Sequence, residues 1–389
     1  ETGGSTSVDE SGTTDTFTVV LDAEPSSDVV LTISSADTGE ATVTSTLTFT
    51  SANWDTAQTV TVTGADDDLI DGTITSTITV SVNDGSSDDN FDSVSDQTIS
   101  VATTDDDVAG FTIALTGGST SVDESGTTDT FTVVLDAQPS SDVVLSISSA
   151  DTGEATVTST LTFTSANWDT AQTVTVTGAD DDLVDGTQTS SLTIAVVDEI
   201  TDNNFDSVSD QTVSVTTTDD DVAGFTITVT GGSTSVAESG STDTFTVVLD
   251  AEPDSDVVLS ISSSDTGEAT VNSPLTFTSA NWDTAQTVTV TGADDDIIDG
   301  TITSTITVSV NDGSSDNNFD SVSDQTVSVT TTDDDVAGFT VAETDGSTSV
   351  DESGTTDTFT VVLDAQPLSN VVLSISSSDS GEATTTSLL

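Results

Sequence analysis

Lysine, arginine and histidine are all missing from this chain, while 70 of its 389 residues are aspartate or glutamate. No carboxylate can therefore find an internal ion-pair partner, and each must be balanced by a solvent cation or a proton. The side chains that grip phosphate are absent, which excludes nucleic-acid binding, and the formal charge of -70 repels anionic membranes. The same repulsion disfavours the compact state and points to a cation-rich medium, so salt-free buffer is expected to destabilise the protein. Without cysteine there are no disulfides or thiolates, and without histidine or methionine the usual zinc, haem and iron–sulfur ligands are gone. Only hard oxygen donors remain, which suit calcium and, less well, magnesium. Most catalytic nucleophiles and bases are lost with them, and no Ser–His or Ser–Lys arrangement can be built, so an enzyme is not expected. No basic-then-apolar leader and no apolar run approaching ~18 residues occurs. The chain reads as an excerpt of a secreted, cell-surface protein whose targeting signal lies outside it.

What is present is one unit repeated. TGGSTSV begins at Thr2, Thr116 and Thr230, and TDGSTSV at Thr344, each a step of 114 residues with nothing inserted or lost. Cutting after the TTDDD runs gives copies at 1–107, 108–221 and 222–335 and a partial copy at 336–389. A period of this length suits a self-contained domain rather than a solenoid coil, so the copies read as tandem domains. Glu1 is equivalent to Leu115 and Leu389 to Leu47, which removes most of the opening strand of the first copy and stops the last within its fourth strand. The expectation is a polypeptide that continues in both directions, the alternative being strand donation between neighbouring chains.

Within a copy, apolar residues alternate with threonine and serine: FTVVL at 17–21, VVLTI at 29–33, TLTFT at 46–50, TVTVT at 59–63, TITVSV at 77–82 and TISV at 98–101. A period of two means half-buried strands, and Gly, Asp, Asn and Pro punctuate them. With GFTIAL at 110–115, about seven strands fall in each copy, which predicts an all-β tandem array of immunoglobulin-like antiparallel sandwiches. Disorder is the competing reading, from the high charge and a hydrophobic content of 32%.

If successive strands run up and down, the AB, CD and EF turns and the end of the last strand share one pole. In the second copy these are VDESG at 122–126, SADTGEA at 149–155, GADDDLVDG at 178–186 and TTDDD at 217–221, all acidic. Calcium coordination by six to eight oxygens would relieve the repulsion among them; solvated acidic turns in a salt-adapted protein are the alternative. VDESG, then TLTFTSANWDTAQTVTVTGADDD with an acidic DG close behind, then TTDDD, resembles the Calx-beta domain and its relatives in giant repeat adhesins of bacterial surfaces. The resemblance covers essentially every copy. It implies calcium binding by a glutamate of the AB turn, acidic residues of the EF turn and the terminal Asp run. Carried over, it nominates Glu124, Asp180, Asp181, Asp185, Asp219, Asp220 and Asp221 in the second copy. Their equivalents are Glu10, Asp66, Asp67, Asp71, Asp105, Asp106 and Asp107 in the first copy and Glu238, Asp294, Asp295, Asp299, Asp333, Asp334 and Asp335 in the third. The CD turn departs from the family pattern, so Asp151 and Glu154 are left out. Asp123 is also left out, because its counterpart in the third copy is Ala237.

Weaker metal candidates lie in the FG turn, where Asp88 and Asp92, Asp202 and Asp206, and Asp316 and Asp320 alternate with asparagine as at the start of an EF-hand loop, without its glycine and closing glutamate. Asp202 and Asp206 are expected to face Asp105 to Asp107 across the joint between copies. Trp54, Trp168 and Trp282 read as lids on the sandwich ends rather than sugar platforms. The functional expectation is a calcium-stiffened extracellular stalk or filament shaft, partnered by calcium ions and by neighbouring repeats. The alternatives are a multivalent module binding carbohydrate, ice or a cell-surface partner, and a calcium-buffering matrix.

Overall fold

The computed structural model describes residues 4–385, and the period-two pattern becomes strand through the first three copies, while in the last copy only Phe339–Glu343 and Phe359–Leu363 do so. The chain forms two compact units, one of residues 1–180 and 187–218, the other of residues 181–186 and 219–389. The first unit begins with β1 (Thr6–Asp9), β2 (Thr14–Val19), β3 (Val29–Ser35), β4 (Ala41–Val43), β5 (Thr46–Phe49), β6 (Gln58–Gly64), β7 (Ile74–Val82) and β8 (Gln97–Thr104). It continues with β9 (Phe111–Leu115), β10 (Thr120–Asp123), β11 (Thr128–Leu135), β12 (Val143–Ser149), β13 (Ala155–Val157), β14 (Thr160–Phe163), β15 (Gln172–Gly178), β16 (Gln188–Val196) and β17 (Gln211–Thr218). The second unit holds β18 (Phe225–Val229), β19 (Thr234–Ala237), β20 (Thr242–Leu249), β21 (Val257–Ser263), β22 (Ala269–Val271), β23 (Leu275–Phe277), β24 (Gln286–Gly292), β25 (Ile302–Val310) and β26 (Gln325–Thr332), followed by β27 (Phe339–Glu343) and β28 (Phe359–Leu363).

Each full set of strands makes a two-sheet sandwich. In the second set a five-stranded sheet, ordered β10-β17-β16-β12-β14, faces a four-stranded sheet, ordered β13-β15-β11-β9. The count is nine strands rather than about seven, because a short strand precedes β14 and the opening strand changes sheets. β9 pairs antiparallel with β11, the chain then turns through Gly117 and Gly118 at φ 76° and 87°, and β10 runs parallel to β17 in the opposite sheet. Only glycine takes two such consecutive angles cheaply. Alternation supplies the core: Val143, Leu145 and Ile147 of β12 are buried while Val144 and Ser146 between them are half-buried. They pack with fully buried Phe131, Phe163 and Phe205, each contributing about 1.5–3 kcal/mol by leaving water. Trp168 and Trp282 lie partly buried against their sandwich cores, as lids do.

The ends of several strands are tied together at one pole. Asp123 of β10 pairs with Thr218 of β17, and Ala155 of β13 pairs with Gly178 of β15. At Gly178 a Cβ would stand 2.0 Å from the Asp123 carbonyl oxygen, so the first turn lies directly on the end of β15. Gly64 meets Asp9, and Gly292 meets Ala237, in the same way. A methyl group here pushes backbone against backbone, with overpacking costs of about 1–3 kcal/mol or more. Gly178→Ala is therefore expected to lower one calorimetric transition by several degrees and leave the others in place; an unchanged melting profile would show that the contact is loose.

Candidate metal centre

The turn after β1 delivers the first ligand candidate. The Glu10 amide donates to the Thr104 carbonyl at 3.1 Å, which holds its side chain beside the Asp105–Asp107 run that follows β8. The Glu40 carbonyl accepts from the Ala65 amide at 2.9 Å and from the Thr103 hydroxyl at 3.4 Å, fixing the turn before β4 to the ends of β6 and β8. The loop after β6 is folded onto the same place by Asp105, whose Oδ2 accepts from the amides of Asp71 at 2.9 Å and Gly72 at 2.8 Å. Asp105 Oδ1 accepts from the Asp107 amide at 2.8 Å, and Asp67 Oδ1 caps the Leu69 amide at 2.8 Å. Four turns distant in sequence thus converge through backbone hydrogen bonds and those of the Asp105 carboxylate and Thr103 hydroxyl, as the up-and-down strand order requires.

The carboxylates of Glu10, Asp105 and Asp107 each present an oxygen within 4.8 Å of the others, and so do those of Glu10, Glu40 and Asp71. Glu10 belongs to both triads. Its side chain is 1% exposed and Glu40 is 6% exposed. Glu10 Oε2, Glu40 Oε2 and Asp107 Oδ2 are buried without a hydrogen-bond partner. Burial, then the charges of Asp67, Glu40, Asp105 and Asp71, push the Glu10 carboxyl up to about 7. Glu40, Asp71 and Asp107 are raised as well, each first by burial and then by neighbouring carboxylates.

The second unit repeats the arrangement. Glu238, Asp333 and Asp335 form a triad, and Asp333 accepts from the amides of Asp299 at 3.1 Å, Gly300 at 2.8 Å and Asp335 at 2.8 Å. Those hydrogen bonds hold Asp333 below the usual carboxylate range, whereas burial and the charges of Asp333, Glu268, Asp295 and Asp299 push Glu238 to about 7. Buried carboxylate oxygens without a hydrogen-bond partner include Glu238 Oε1 and Oε2, Glu268 Oε2, Asp299 Oδ1 and Asp335 Oδ2. Also in this unit, Asp219 accepts from the amides of Asp185, Gly186 and Asp221 at 3.0, 2.7 and 2.7 Å, and Asp181 from that of Leu183 at 2.8 Å. Glu124, 1% exposed, follows β10 in the first unit, and exposed Asp180 follows β15. Burial and then the charges of Asp9, Asp66 and Asp105 raise exposed Asp106, and burial and then the charges of Asp296, Asp333, Asp334 and Asp294 raise Asp335.

A buried oxygen with no donor is costly unless a proton or cation joins it. Five carboxylates meet at one pole of one sandwich, Glu10 with Asp105 and Asp107 and Glu10 with Glu40 and Asp71, and offer the hard oxygens of which calcium takes six to eight. The donor set fits a hard divalent cation.

Glu40 and Glu268 were missed from sequence because their turn departs from the family pattern. The available signal was GEA itself, with the glutamate one residue before a fully buried alanine, Ala41 or Ala269. The aspartate of that turn has another task, since Asp37 Oδ1 caps the Gly39 amide at 3.1 Å. Asp9 is likewise occupied: its carboxylate accepts from the Ser11 amide and hydroxyl and from Thr104.

In the FG turn the Asp88 carboxylate takes donors from Ser26, Ser27 and Asn90, hydrogen bonds that hold it well below its ordinary value. Asp202 is engaged by Ser140, Ser141 and Asn204, and Asp316 by Ser255 and Asn318. Exposed Asp92, Asp206 and Asp320 close the short helical turn beside them. The group that crosses from this turn to the preceding copy is the Asn204 carboxamide, which donates to the Ile70 carbonyl at 2.9 Å. These three buried aspartates act first as turn staples.

No family model matches the chain, and no curated protein matches it. Among solved structures it is similar to domains 4–9 of the surface layer protein SbsC, at 18% identity and TM-score 0.25. That match covers 80% of this chain but 40% of the SbsC fragment. It is also similar to CBD12 from CALX1.2, at 12% identity and TM-score 0.23, over 56% of this chain and 99% of that one. The titin I-band fragment I67-I69 is similar at 9% identity and TM-score 0.28, over 85% and 95%. The fold is a tandem array of immunoglobulin-like β-sandwiches.

With an ordinary carboxyl value of 4.5, Glu10 and Glu238 at about 7 keep protons in the folded chain that the unfolded chain has already released. Stability without divalent cations is therefore highest below about pH 4.5 as far as these groups are concerned, and is lost as pH rises through about 7. Melting temperature in chelator is expected to fall between pH 5 and pH 7.5, and calcium should abolish or invert that slope. A flat profile in chelator would mean that the two glutamates are not desolvated.

Proposed function

We propose that the chain is part of an extracellular structural repeat protein, a stalk or filament shaft whose sandwiches and joints are fixed by calcium. The copies 1–107, 108–221, 222–335 and 336–389 are its successive domains. The observation that carries the reading is the double use of the loop after β6. Its Asp67 and Asp71 belong to the carboxylate cluster, and the residues between them reach the next copy. Leu69 makes a parallel bridge to Gln138, the Gln138 amide donates to the Asp68 carbonyl at 2.6 Å, and Ile70 donates to the Gln138 carbonyl at 3.2 Å and packs on the second core. In the second unit Val184 does the same with Glu252, packing 9% exposed into the third core, and its carbonyl accepts from the Asn318 carboxamide at 2.6 Å. A cation that orders this loop orders the joint.

Near-identical copies, no catalytic groups beyond carboxylates and hydroxyls, and a charge that only external cations can balance all support a structural role in a calcium-bearing exterior. Calcium at a hundredfold over its dissociation constant should add about 2.7 kcal/mol per site. Melting temperature and small-angle scattering with calcium, then with chelator at matched ionic strength, test this. Glu238→Gln should weaken calcium binding at one site while leaving the cation-free fold intact. Equal stability and scattering in both states would leave a salt-adapted protein with solvated acidic turns.

A further inference from the structure

Five aspartyl–glycyl bonds lie within residues 1–335, and hydrogen bonding divides them into two classes. Such a bond is open to attack from within the chain. The glycine nitrogen, with no Cβ beside it, reaches the aspartyl Cγ, closes a five-membered succinimide and expels one water. Water then opens the ring at either carbonyl. One opening restores aspartate, and the other leaves isoaspartate, in which the chain runs through the side-chain carboxyl and gains one backbone atom. The water lost in the first step returns in the second, so no other reactant is needed. What the attack does need is a glycine nitrogen free to turn onto the preceding carboxyl.

Three of the bonds, Asp71–Gly72, Asp185–Gly186 and Asp299–Gly300, lie in the loops after β6, β15 and β24. Their glycine amides are held: Gly72 donates to Asp105 Oδ2 at 2.8 Å, Gly186 to Asp219 Oδ2 at 2.7 Å and Gly300 to Asp333 Oδ2 at 2.8 Å. The same oxygens accept from the amides of Asp71, Asp185 and Asp299 at 2.9, 3.0 and 3.1 Å. One carboxylate thus pins the nitrogens on both sides of the reactive residue, through charge-assisted bonds of the stronger kind. The other two bonds, Asp84–Gly85 and Asp312–Gly313, open the short helical turns Asp84–Ser86 and Asp312–Ser314. Those turns are closed by the Ser86 and Ser314 amides, which donate to the Asn83 and Asn311 carbonyls at 2.9 Å. The Asn83 and Asn311 side chains make no cap bond, and among the described residues no carboxylate accepts from the Gly85 or Gly313 amide. All five glycines are exposed, so access to water does not separate the classes; engagement of the attacking nitrogen does.

We propose that Asp84 and Asp312 are modification sites that convert to isoaspartate, and that Asp105, Asp219 and Asp333 guard the aspartyl–glycyl bonds of the acidic pole from the same reaction. Repeat 2 carries Asp198–Glu199 where the other two have Asp–Gly, and the side chain after Asp198 crowds the nitrogen there. Repeats 1 and 3 therefore age at the turn that leads to the Asp88 and Asp316 staples, while repeat 2 does not and every pole is spared. Breaking one charge-assisted hydrogen bond before the attack slows it by about tenfold or more.

The test is to warm the full chain at neutral pH, in calcium and separately in chelator at matched ionic strength, and to locate isoaspartate by peptide mass mapping and by enzymatic methylation of isoaspartyl carboxylates. LIDG, LVDG and IIDG differ, as do SSDDN and SSDNN, so each bond is read separately. Asp84 and Asp312 should convert about tenfold faster or more than Asp71, Asp185 and Asp299 in both buffers, with none at Asp198. Gly85→Ala, whose Cβ meets nothing nearer than Asn83 Oδ1 at 3.9 Å, should slow Asp84, and Glu199→Gly should create a site at Asp198. Asp333→Ala should bring Asp299 up to the rate of Asp312 and leave Asp71 slow, with Trp282 fluorescence reporting that repeat 3 is folded. The ranking in the unaltered chain decides the matter even where Asp333→Ala does not fold. Equal rates at the five bonds, a ranking that vanishes in chelator, or a folded Asp333→Ala with Asp299 still slow would overturn the proposal.

Discussion

The constraint on which the rest depends is that every charge in this protein has the same sign, and that folding takes some of those charges out of water. A sandwich built from alternating Val, Leu, Ile and Thr can be made with no charges in its core, and the core here has none. The cost falls instead at one pole, where strand ends bring acidic turns together. There the glutamates after β1 and β19 are buried beside like charges with no cation in the chain to meet them. Proton uptake or cation binding is the only relief the chemistry allows, and the hard oxygen donors choose the kind of cation.

The buried and half-buried carboxylates divide by the number of donors within reach. Asp88 collects amide and hydroxyl donors from Ser26, Ser27 and Asn90 and becomes a structural staple. Asp333 collects three backbone amides and remains ionised while folding the loop around it. Glu10 and Glu238 retain buried oxygens without donors, and burial beside like charges raises both carboxyls to about 7. One functional group, the carboxylate, thus does three jobs, and the local backbone decides which.

The joint between copies tolerates sequence change for a related reason. Gln138 and Glu252 both bridge the joint through their backbone amide and carbonyl, so that contact is kept by either side chain, although only the Gln138 carboxamide donates to the Ser165 carbonyl at 2.9 Å. Leu69–Ile70 and Leu183–Val184 need only be apolar and the right size. Ala237 replaces the aspartate found at positions 9 and 123 without loss of the turn, because the Ser241 hydroxyl accepts from its amide at 2.6 Å as Thr13 and Thr127 do for those aspartates.

Fold class was legible in the sequence because a period of two has one physical meaning, a strand with one face buried, and because its recurrence every 114 residues repeats the same pattern. The acidic pole followed from strand alternation, which fixes the end at which each turn emerges. The absence of cysteine, histidine and methionine left only hard oxygen donors, and the absence of lysine and arginine left each carboxylate to a proton or an external cation. Tertiary structure decided what spacing cannot encode. Crossing of the opening strand between sheets rests on two glycines at positive φ and on the close approach of Gly178 to Asp123. Glu40 entered the cluster, and Asp88 became a staple, because burial and hydrogen-bond supply depend on which backbone groups the other strands bring alongside, and those partners lie as far as 63 residues away.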